Sequence, residues 1–312
     1  MSKPITTLLA VGSLALVSGC ATDIGRMAST LDDYDKQIEL TSVPFYPQTT
    51  DQCGPSALAT ILNVTGVDTD PDALRALTYI PGRQGSLQTE LLAATRSFQR
   101  IPYPIDPTIS SLLAELEAER PVLILQNLGT GMTPIWHYAV VVGYRPEDRV
   151  FILRSGDKER HRIKRRAFLR SWKRADYWGF VALRPGDMPA IADAEKYLRA
   201  VAALESAGDV GTAREAYQAA TKRWPGNALA WLALGNASYA DGDLESAQRA
   251  YEASVKADPN SVIAMNNLSQ VYLERGHRNE AEATIHAALS MVDADDPLYE
   301  LLQQTAAAIA EP

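Results

Sequence analysis

The sequence predicts an α+β domain followed by an all-α repeat domain. Between residues 41 and 187, patterns typical of helices come first and a run of strand patterns follows, which is the order found in α+β domains. From Asp193 onward the chain repeats itself every 34 residues. A cluster of proline and glycine, Pro185 to Pro189, separates the two patterns. A chain of 312 residues has room for two cores, and we place the boundary between residues 187 and 188.

The overall composition excludes some classes of partner. Hydrophobic residues make up 46% of the chain and charged residues 22%, which is ordinary for a soluble globular protein. The formal net charge is −8, so nothing general in the chain would neutralise phosphate groups. No nucleic-acid partner is therefore expected.

The first 40 residues predict export. Residues 1–19 carry one lysine, an apolar run from about Leu8 to Val17, and small residues before Cys20. The ending Val17-Ser18-Gly19-Cys20 resembles a bacterial lipobox, which implies cleavage before Cys20, lipidation of its thiol and anchoring in the cell envelope, in a Gram-negative host at the outer membrane facing the periplasm. The alternative is an ordinary secretory signal with a chance cysteine. Residues 20–40 are polar and acidic, and we expect them to be a tether.

Cys53 lies where an extended segment becomes a helix. Pro44 and Pro47 keep the approach out of a helix, and Gly54 and Pro55 suit a first turn. Apolar residues then recur at helical spacing to about residue 64. The unpaired N–H groups and the dipole at a helix N-terminus stabilise a thiolate, so Cys53 is predicted to be a nucleophile.

Further helices and then strands follow in order. Short helices are expected over 71–77, over 86–98 with Ser86 as its N-cap, and over 109–119. Continuous apolar runs then predict strands at 122–125, 138–142, 150–153 and 179–183. Such runs are typical of strands that are buried on both faces.

The 34-residue period is carried by small residues, aromatic residues and prolines. Matching positions are Gly208, Gly242 and Gly276; Ala213, Ala247 and Ala281; Tyr217 and Tyr251; Pro225 and Pro259. The pattern resembles the tetratricopeptide repeat, which implies three helix pairs over 193–227, 228–261 and 262–293, with a capping helix over 297–310. Either the array only shields and steadies the first domain, or it binds a peptide or a protein partner.

A nucleophilic cysteine needs a base, and His137 is the best of four histidines. It opens a strongly apolar strand, where a polar ring usually faces a site, although a structural histidine is the alternative. His161 lies in a basic run and His277 and His286 lie in the repeats. With Cys53, His137 could form a thiolate–imidazolium pair and later protonate a leaving amine.

The transition state of acyl transfer also needs donors for its oxyanion. Gln48, five residues before Cys53, could place its amide beside the backbone N–H of Cys53. Gln52 is the competing glutamine, but a residue adjacent to the nucleophile is expected to point away. A loop glutamine in water remains the alternative for both.

These motifs resemble a known enzyme family. Pro47-Gln48, then Gln52-Cys53-Gly54-Pro55-Ser56, then Trp136-His137-Tyr138-Ala139-Val140, are similar to the bacteriocin-processing, double-glycine cysteine peptidases over about residues 43–183. The resemblance implies a papain-like fold, with Cys53 as nucleophile, His137 as base and acid, and Gln48 in the oxyanion hole. It also resembles a lipoprotein lineage that carries C-terminal tetratricopeptide repeats.

The chain departs from this family at one position. The family has an aspartate on the next strand to orient the histidine, whereas here the strand runs into Arg154-Ser155. Asp157 is our candidate for the third catalytic member, and Ser155 or Asn127 are alternatives. A backbone carbonyl, or no orienting group, also remains open.

Two further features complete the prediction. Residues 154–174 hold ten lysines and arginines against two acids, which is usually a solvated surface but could also contact anionic lipid or an acidic substrate. No cluster has metal-ligand spacing and no phosphate loop is present, so no metal or cofactor is expected. We expect an envelope-anchored cysteine peptidase, with a non-catalytic peptide-binding lipoprotein or a transpeptidase as alternatives.

Overall fold

The computed structural model describes residues 19–48, 52–83 and 85–311. Residues 1–18 of the predicted signal peptide, the segment 49–51 before Cys53, Gln84 and Pro312 lie outside the described residues. The side chains of residues 19–22 also lie outside them, and with them the thiol of Cys20, which is predicted to be lipidated.

The first domain holds six helices and nine strands within the described residues. The helices are α1 Gly19–Asp32, α2 Cys53–Val64, α3 Pro71–Thr78, α4 Gln88–Ser97, α5 Ile109–Glu117 and α6 Arg165–Lys173. The strands are β1 Ile38–Glu39, β2 Tyr79–Ile80, β3 Gly85–Ser86, β4 Ile101–Pro104, β5 Val122–Asn127, β6 Trp136–Arg145, β7 Val150–Ser155, β8 Lys158–Lys164 and β9 Gly179–Leu183.

An antiparallel sheet forms the centre of this domain. Its strands run in the order β4-β9-β5-β6-β7-β8, and the short β1 pairs with part of β6. The buried strands β5, β6, β7 and β9 contain the apolar runs of the sequence. The hairpin of β2 and β3 stands apart from the sheet and packs near the start of α2.

The two faces of the sheet bury different elements. On one face, Tyr138, Val140 and Val142 of β6 share a buried cluster with Leu58 and Ile61 of α2. On the other, alternate residues of the same strands pack with α1, α5, α6 and the first repeat helices. This alternation follows from the two-residue period of a strand.

Residues 20–40 are not the free tether that their polarity predicted. Most of this segment is the helix α1, whose Met27 and Leu31 are buried in the core, and β1 then joins the sheet. Its acidic residues pair with the basic run: Asp32 contacts Arg165 at 2.5 Å, and Glu39 contacts Arg160. The carboxylates that looked like solvated linker residues therefore dock the segment onto the domain.

Local sequence patterns also mispredicted or missed other features that tertiary contacts determine. Ser86 lies in β3 and does not cap the next helix, which begins at Gln88 after Leu87. The strand β4, Ile-Pro-Tyr-Pro, was not predicted because prolines disfavour strands, but it lies at the sheet edge, where missing donors are tolerated. The charged β8 was also missed; it pairs with β7 at the opposite edge.

The second domain is helical throughout its described residues. The helices are α7 Ala194–Glu205, α8 Val210–Arg223, α9 Ala228–Ala240, α10 Leu244–Ala257, α11 Val262–Glu274, α12 Arg278–Leu289 and α13 Tyr299–Ala310. Gly208, Gly242 and Gly276 each turn the chain between paired helices with a positive φ. A Cβ at Gly235 would lie 2.4 Å from the Tyr251 ring, so glycine allows α9 and α10 to pack closely.

The two domains share one continuous core. Tyr197 of α7 is fully buried in the same cluster as the sheet, and its hydroxyl donates to the carbonyl of Pro185 at 3.2 Å. Glu115 of α5 accepts a hydrogen bond from the N–H of Ala190. None of the helices among the described residues has the length and apolar character needed to cross a membrane.

Candidate active site

Cys53 is the first residue of α2 and is half-buried. A Cβ at Gly54 would lie 2.6 Å from Ser86 Oγ, so the glycine after the cysteine lets the β2–β3 hairpin approach the first turn. Cys53 therefore lies between this hairpin and the sheet, at the positive end of a twelve-residue helix.

Helix α2 packs directly on the strand that carries His137. The Tyr138 side chain lies in the cluster below α2, and its hydroxyl donates to the carbonyl of Ser86 at 3.3 Å. Burial raises the pKa of Tyr138, and the negative charge of a Cys53 thiolate raises it further, which places this phenol near the sulfur. The start of α2 and the start of β6 thus meet at one end of the domain.

His137 makes a hydrogen bond with the neighbouring strand. Its Nε2 lies 2.8 Å from Ser155 Oγ, at the end of β7. With one ring nitrogen held in this way, Nδ1 is the nitrogen left to take a proton from a thiol. Hydrogen bonds between a catalytic base and its nucleophile often tighten only when substrate is bound.

The surroundings of His137 keep its ring neutral. Burial lowers the pKa of His137, and the nearby His161 lowers it further. His161 on β8 pairs with Leu153 on β7. Leu153 precedes Ser155 by two residues on that strand. A neutral imidazole at pH 7 is suited to act as a base, and a preformed thiolate–imidazolium pair receives no support from these contacts.

Gln48 bonds the two residues that follow His137 and Ser155 in the chain. Its Oε1 accepts from the N–H of Gly156 at 2.9 Å, and its own N–H donates to the Gly156 carbonyl at 2.8 Å. Its Nε2 donates to the carbonyl of Tyr138 at 3.3 Å. The amide is therefore held between β6 and the β7–β8 turn. Gln52 instead donates to Asp72 on α3, in the direction expected of it.

The structure separates the three candidates for the orienting residue. The ring of His137 bonds Ser155, whereas Asp157 is exposed in the β7–β8 turn and acts electrostatically on His161. Asn127 is buried, and its Oδ1 accepts from the N–H groups of Gly129 and Ile135. Asn127 therefore shapes the β5–β6 loop.

Arg154 has a structural role that the sequence did not reveal. Its guanidinium is buried and donates to the carbonyls of Val43, Thr41 and Glu159, at 2.8 Å, 3.4 Å and 2.6 Å. Residues 41–43 begin the approach to Gln48 and Cys53. On the strand where the family is expected to carry an aspartate, this chain has Arg154, which fixes the segment that leads to Cys53.

Two residues of the site, Ser155 and His161, were undervalued in the sequence. The signal for Ser155 was its position on the strand after the histidine, two residues before the preferred Asp157. His161 was set aside because of its basic neighbours, yet β8 folds it back beside β7. Within the described residues, no group of histidine, cysteine and carboxylate side chains could hold a metal ion.

Known proteins resemble the two parts of the chain separately. The model of the Peptidase_C39 like family matches residues 40–179, and two tetratricopeptide-repeat models match residues 197–261 and 238–305. No curated protein sequence matches the chain.

Among solved structures, one from Bacillus anthracis described as a C39-like peptidase is 16% identical, and the alignment covers 47% of this chain and 98% of that one, with a TM-score of 0.39. The type III secretion chaperone SycD of Yersinia enterocolitica, in complex with a peptide of the translocator YopD, is 19% identical over 37% of this chain and 90% of its own, with a TM-score of 0.35. The TPR2B domain of yeast Sti1 is 20% identical over 38% of this chain and 95% of its own, with a TM-score of 0.35.

The family matches coincide with the two domains that the fold shows. The first covers α2, most strands of the sheet and both residues of the proposed catalytic pair, and the other two cover the helix pairs. Residues 40–179 therefore form a domain of the Peptidase_C39-like family, and the chain carries this domain in front of a tetratricopeptide-repeat domain.

Proposed function

We propose that the protein is a cysteine peptidase that hydrolyses a peptide bond through an acyl-enzyme on Cys53. The single observation that carries the proposal is the hydrogen bond between His137 Nε2 and Ser155. His137 lies on β6, and the helix that begins at Cys53 packs against this strand. A held imidazole beside a cysteine at a helix start is the arrangement that nucleophilic catalysis requires.

The reaction uses one proton relay. His137 Nδ1 takes the thiol proton as Cys53 Sγ attacks the scissile carbonyl, and the imidazolium then gives that proton to the leaving amine. The acyl group is now a thioester on Cys53. Water attacks the thioester with His137 again as base, which releases the carboxylic acid product and restores the thiol.

The oxyanion of each tetrahedral intermediate is stabilised by two donors. One is the backbone N–H of Cys53 at the start of α2, and the other is Nε2 of Gln48. Nε2 carries two hydrogens, and the bond to the Tyr138 carbonyl uses one of them. The bonds to Gly156 hold the amide in place before substrate arrives.

Ser155 favours a second candidate, a non-catalytic peptide-binding protein. A serine hydroxyl is neutral, so it stabilises an imidazolium less than a carboxylate does. Asp157, our sequence-based candidate for that role, stays a proposal, and its side chain is exposed in the turn. A transpeptidase would use the same Cys53 and His137 and pass the acyl group to an amine.

We further propose that Cys20 is lipidated, that the protein faces the periplasm from the outer membrane, and that the repeats bind a substrate or partner protein. The lipobox-like sequence before Cys20 supports the anchor. The repeat domain supports the partner, since arrays of this kind present an extended surface for protein binding. Radiolabelled palmitate incorporation into the chain, compared with the Cys20→Ala chain, tests the anchor.

Thiol labelling tests the catalytic proposal. We expect an electrophilic peptide probe to modify Cys53 much faster than it modifies free cysteine, and we expect His137→Ala to reduce that rate to the level of free cysteine. Equal rates in both chains would support the non-catalytic candidate. Mass analysis of products with and without an added amine separates hydrolysis from transpeptidation.

A further inference from the structure

One end of the peptidase domain carries an exposed apolar loop, residues 128–136, which follow β5 and include the first residue of β6. Met132 is 94% exposed, Ile135 61%, Trp136 54% and Leu128 50%. Single apolar side chains on a surface are ordinary, but four within nine residues form a patch of the kind that marks an interaction site.

The loop is built to hold this shape. The buried Asn127 accepts hydrogen bonds from Gly129 and Ile135 N–H groups, both at 3.0 Å. Across the loop, the Leu128 N–H donates to the Ile135 carbonyl at 2.8 Å, and a Cβ at Gly129 would lie 2.1 Å from the Thr133 carbonyl. The apolar side chains are therefore presented to solvent by a fixed backbone.

A cationic stripe leads into the apolar loop. Arg166, Arg170 and Arg174 follow each other at intervals of four residues, so they share the exposed face of α6 and its C-cap residue, Arg174. Phe168 and Trp172 are buried on the opposite face. None of the ion pairs in the described part of the chain uses these three arginines. Arg174 lies across the base of the loop, donating to the Asn127 carbonyl at 3.2 Å and to the Gly129 carbonyl.

The chain enters the domain at this same end. Helices α1 and α6 run antiparallel, because Asp23 near the start of α1 contacts Lys173 at 3.7 Å and Asp32 at its end contacts Arg165 at 2.5 Å. The start of α1, which holds Cys20, is therefore next to the end of α6 and the base of the apolar loop.

We infer that this end of the domain binds the surface of an anionic lipid bilayer. The apolar loop inserts into the interface, where tryptophan is favoured, and the arginine stripe lies on the headgroups. A peptide substrate would explain the apolar loop alone, but it would leave the stripe and the position of α1 without a role. Because Trp136 immediately precedes His137, the proposed active site would open at the membrane surface.

This inference goes beyond the proposed function. Its argument from the position of α1 rests on the proposed lipidation of Cys20, whereas the apolar loop and the arginine stripe, which the experiment tests, need neither catalysis nor the lipid anchor. The chain has two cysteines, so Cys20→Ala and Cys53→Ala together leave a background without thiols and without acylation. In that full-length background, Met132→Cys carries a single environment-sensitive dye on the apolar loop. The matched control, Leu229→Cys, carries the dye at an exposed apolar position of the repeats.

Vesicles of phosphatidylglycerol and phosphatidylethanolamine should shift the emission of the dye at position 132 to the blue and leave the dye at position 229 unchanged. Replacing Arg166 and Arg170 by glutamine should weaken this response about 25-fold, at about fivefold for each charge near an anionic surface. The double replacement Arg199→Gln and Arg249→Gln, at two exposed positions of the repeats, controls for the change in net charge.

Two results would overturn the inference. An equal response at positions 132 and 229 would mean that vesicles recruit the chain without engaging the loop. A response at position 132 to apolar peptides but not to vesicles would make the loop a substrate-binding surface. Neither result depends on whether Cys53 is a nucleophile, since every chain in the experiment lacks that thiol.

Discussion

The repeat domain and the peptidase domain differ in how far along the chain their decisive contacts reach. In the repeats, an aspartate or asparagine caps a helix three residues away, as Asp243 does for the N–H of Ser246. In the peptidase domain, Arg154 bonds the carbonyl of Val43 from 111 positions away, and Gln48 bonds Gly156 from 108 positions away. The repeats are therefore specified locally, whereas the candidate site exists only when distant segments come together.

The largest effect that this difference predicts is on catalysis by the peptidase domain. His137→Ala should lower kcat/KM for a peptide substrate about 10⁴-fold, because the thiol loses its base while the helix and strand that place it remain. His286→Ala, in the repeats, is the matched control and should keep the activity of the natural chain. Equal activity in the two variants would mean that the Cys53 site does not use His137.

Removing the most distant contact should come next. Arg154→Met leaves the buried carbonyl of Val43 without its donor, so we expect a loss of about 3 kcal/mol in the free energy of unfolding. Urea denaturation followed by circular dichroism measures this loss. Thiol labelling in the same samples should also change, since the segment before Cys53 loses its attachment.

The control for Arg154→Met comes from the repeats. Arg249 is exposed and forms its ion pair and hydrogen bond with Glu245 and Ser246 on its own helix, so Arg249→Met should cost no more than about 0.5 kcal/mol. If both substitutions cost the same, long-range contacts do not set the stability of the peptidase domain.

A substitution inside a repeat should have a smaller and more local effect. Gly235→Ala places a Cβ 2.4 Å from the Tyr251 ring, which should destabilise the repeat domain by about 1–3 kcal/mol. Hydrogen exchange should show the added opening in α9 and α10, while thiol labelling of Cys53 stays unchanged. Gly226→Ala, where nothing lies within 4 Å of the new Cβ, should leave the exchange rates as they are.

The same difference explains what could be predicted from the sequence. The helix at Cys53, the four apolar strands and the three repeats follow from patterns within a few residues, and the structure has all of them. The docking of residues 20–40, the edge strand β4 and the burial of Arg154 depend on partners far along the chain. Polarity predicted solvent exposure for residues 20–40 and for the basic run that begins at Arg154, and no strand was predicted at β4, because local composition does not reveal which distant group will satisfy a charge or a donor.

The sequence-based prediction missed the contact between His137 and Ser155 for a related reason. The expected group was an acid, so the nearest carboxylate, Asp157, was preferred over the hydroxyl of Ser155. The geometry of the strand pair decides otherwise, since Ser155 ends β7 beside the start of β6, whereas Asp157 has already entered the turn. Residue chemistry thus predicted that a group after β7 orients His137, whereas the register of the strands places Ser155 within reach of the ring.

The smallest effect should come from this orienting contact, and it also tests the protonation state of His137. Ser155→Ala removes one hydrogen bond to the ring and should lower kcat/KM about tenfold. Ser155→Asp should instead place a negative charge beside Nε2, which raises the pKa of His137 and stabilises the imidazolium.

The pH dependence of kcat/KM shows in which direction the pKa of His137 is shifted. In the natural chain, burial and His161 hold the pKa of His137 below its usual value of about 6.5, so the neutral base persists on acidification below that pH. The acid limb of kcat/KM should therefore lie below pH 6.5 and move to higher pH in Ser155→Asp. Asp157→Asn is the matched control, and its exposed side chain predicts an acid limb that stays close to that of the natural chain. If Asp157→Asn moved the acid limb and Ser155→Asp did not, the turn rather than the strand end would supply the group that orients the histidine.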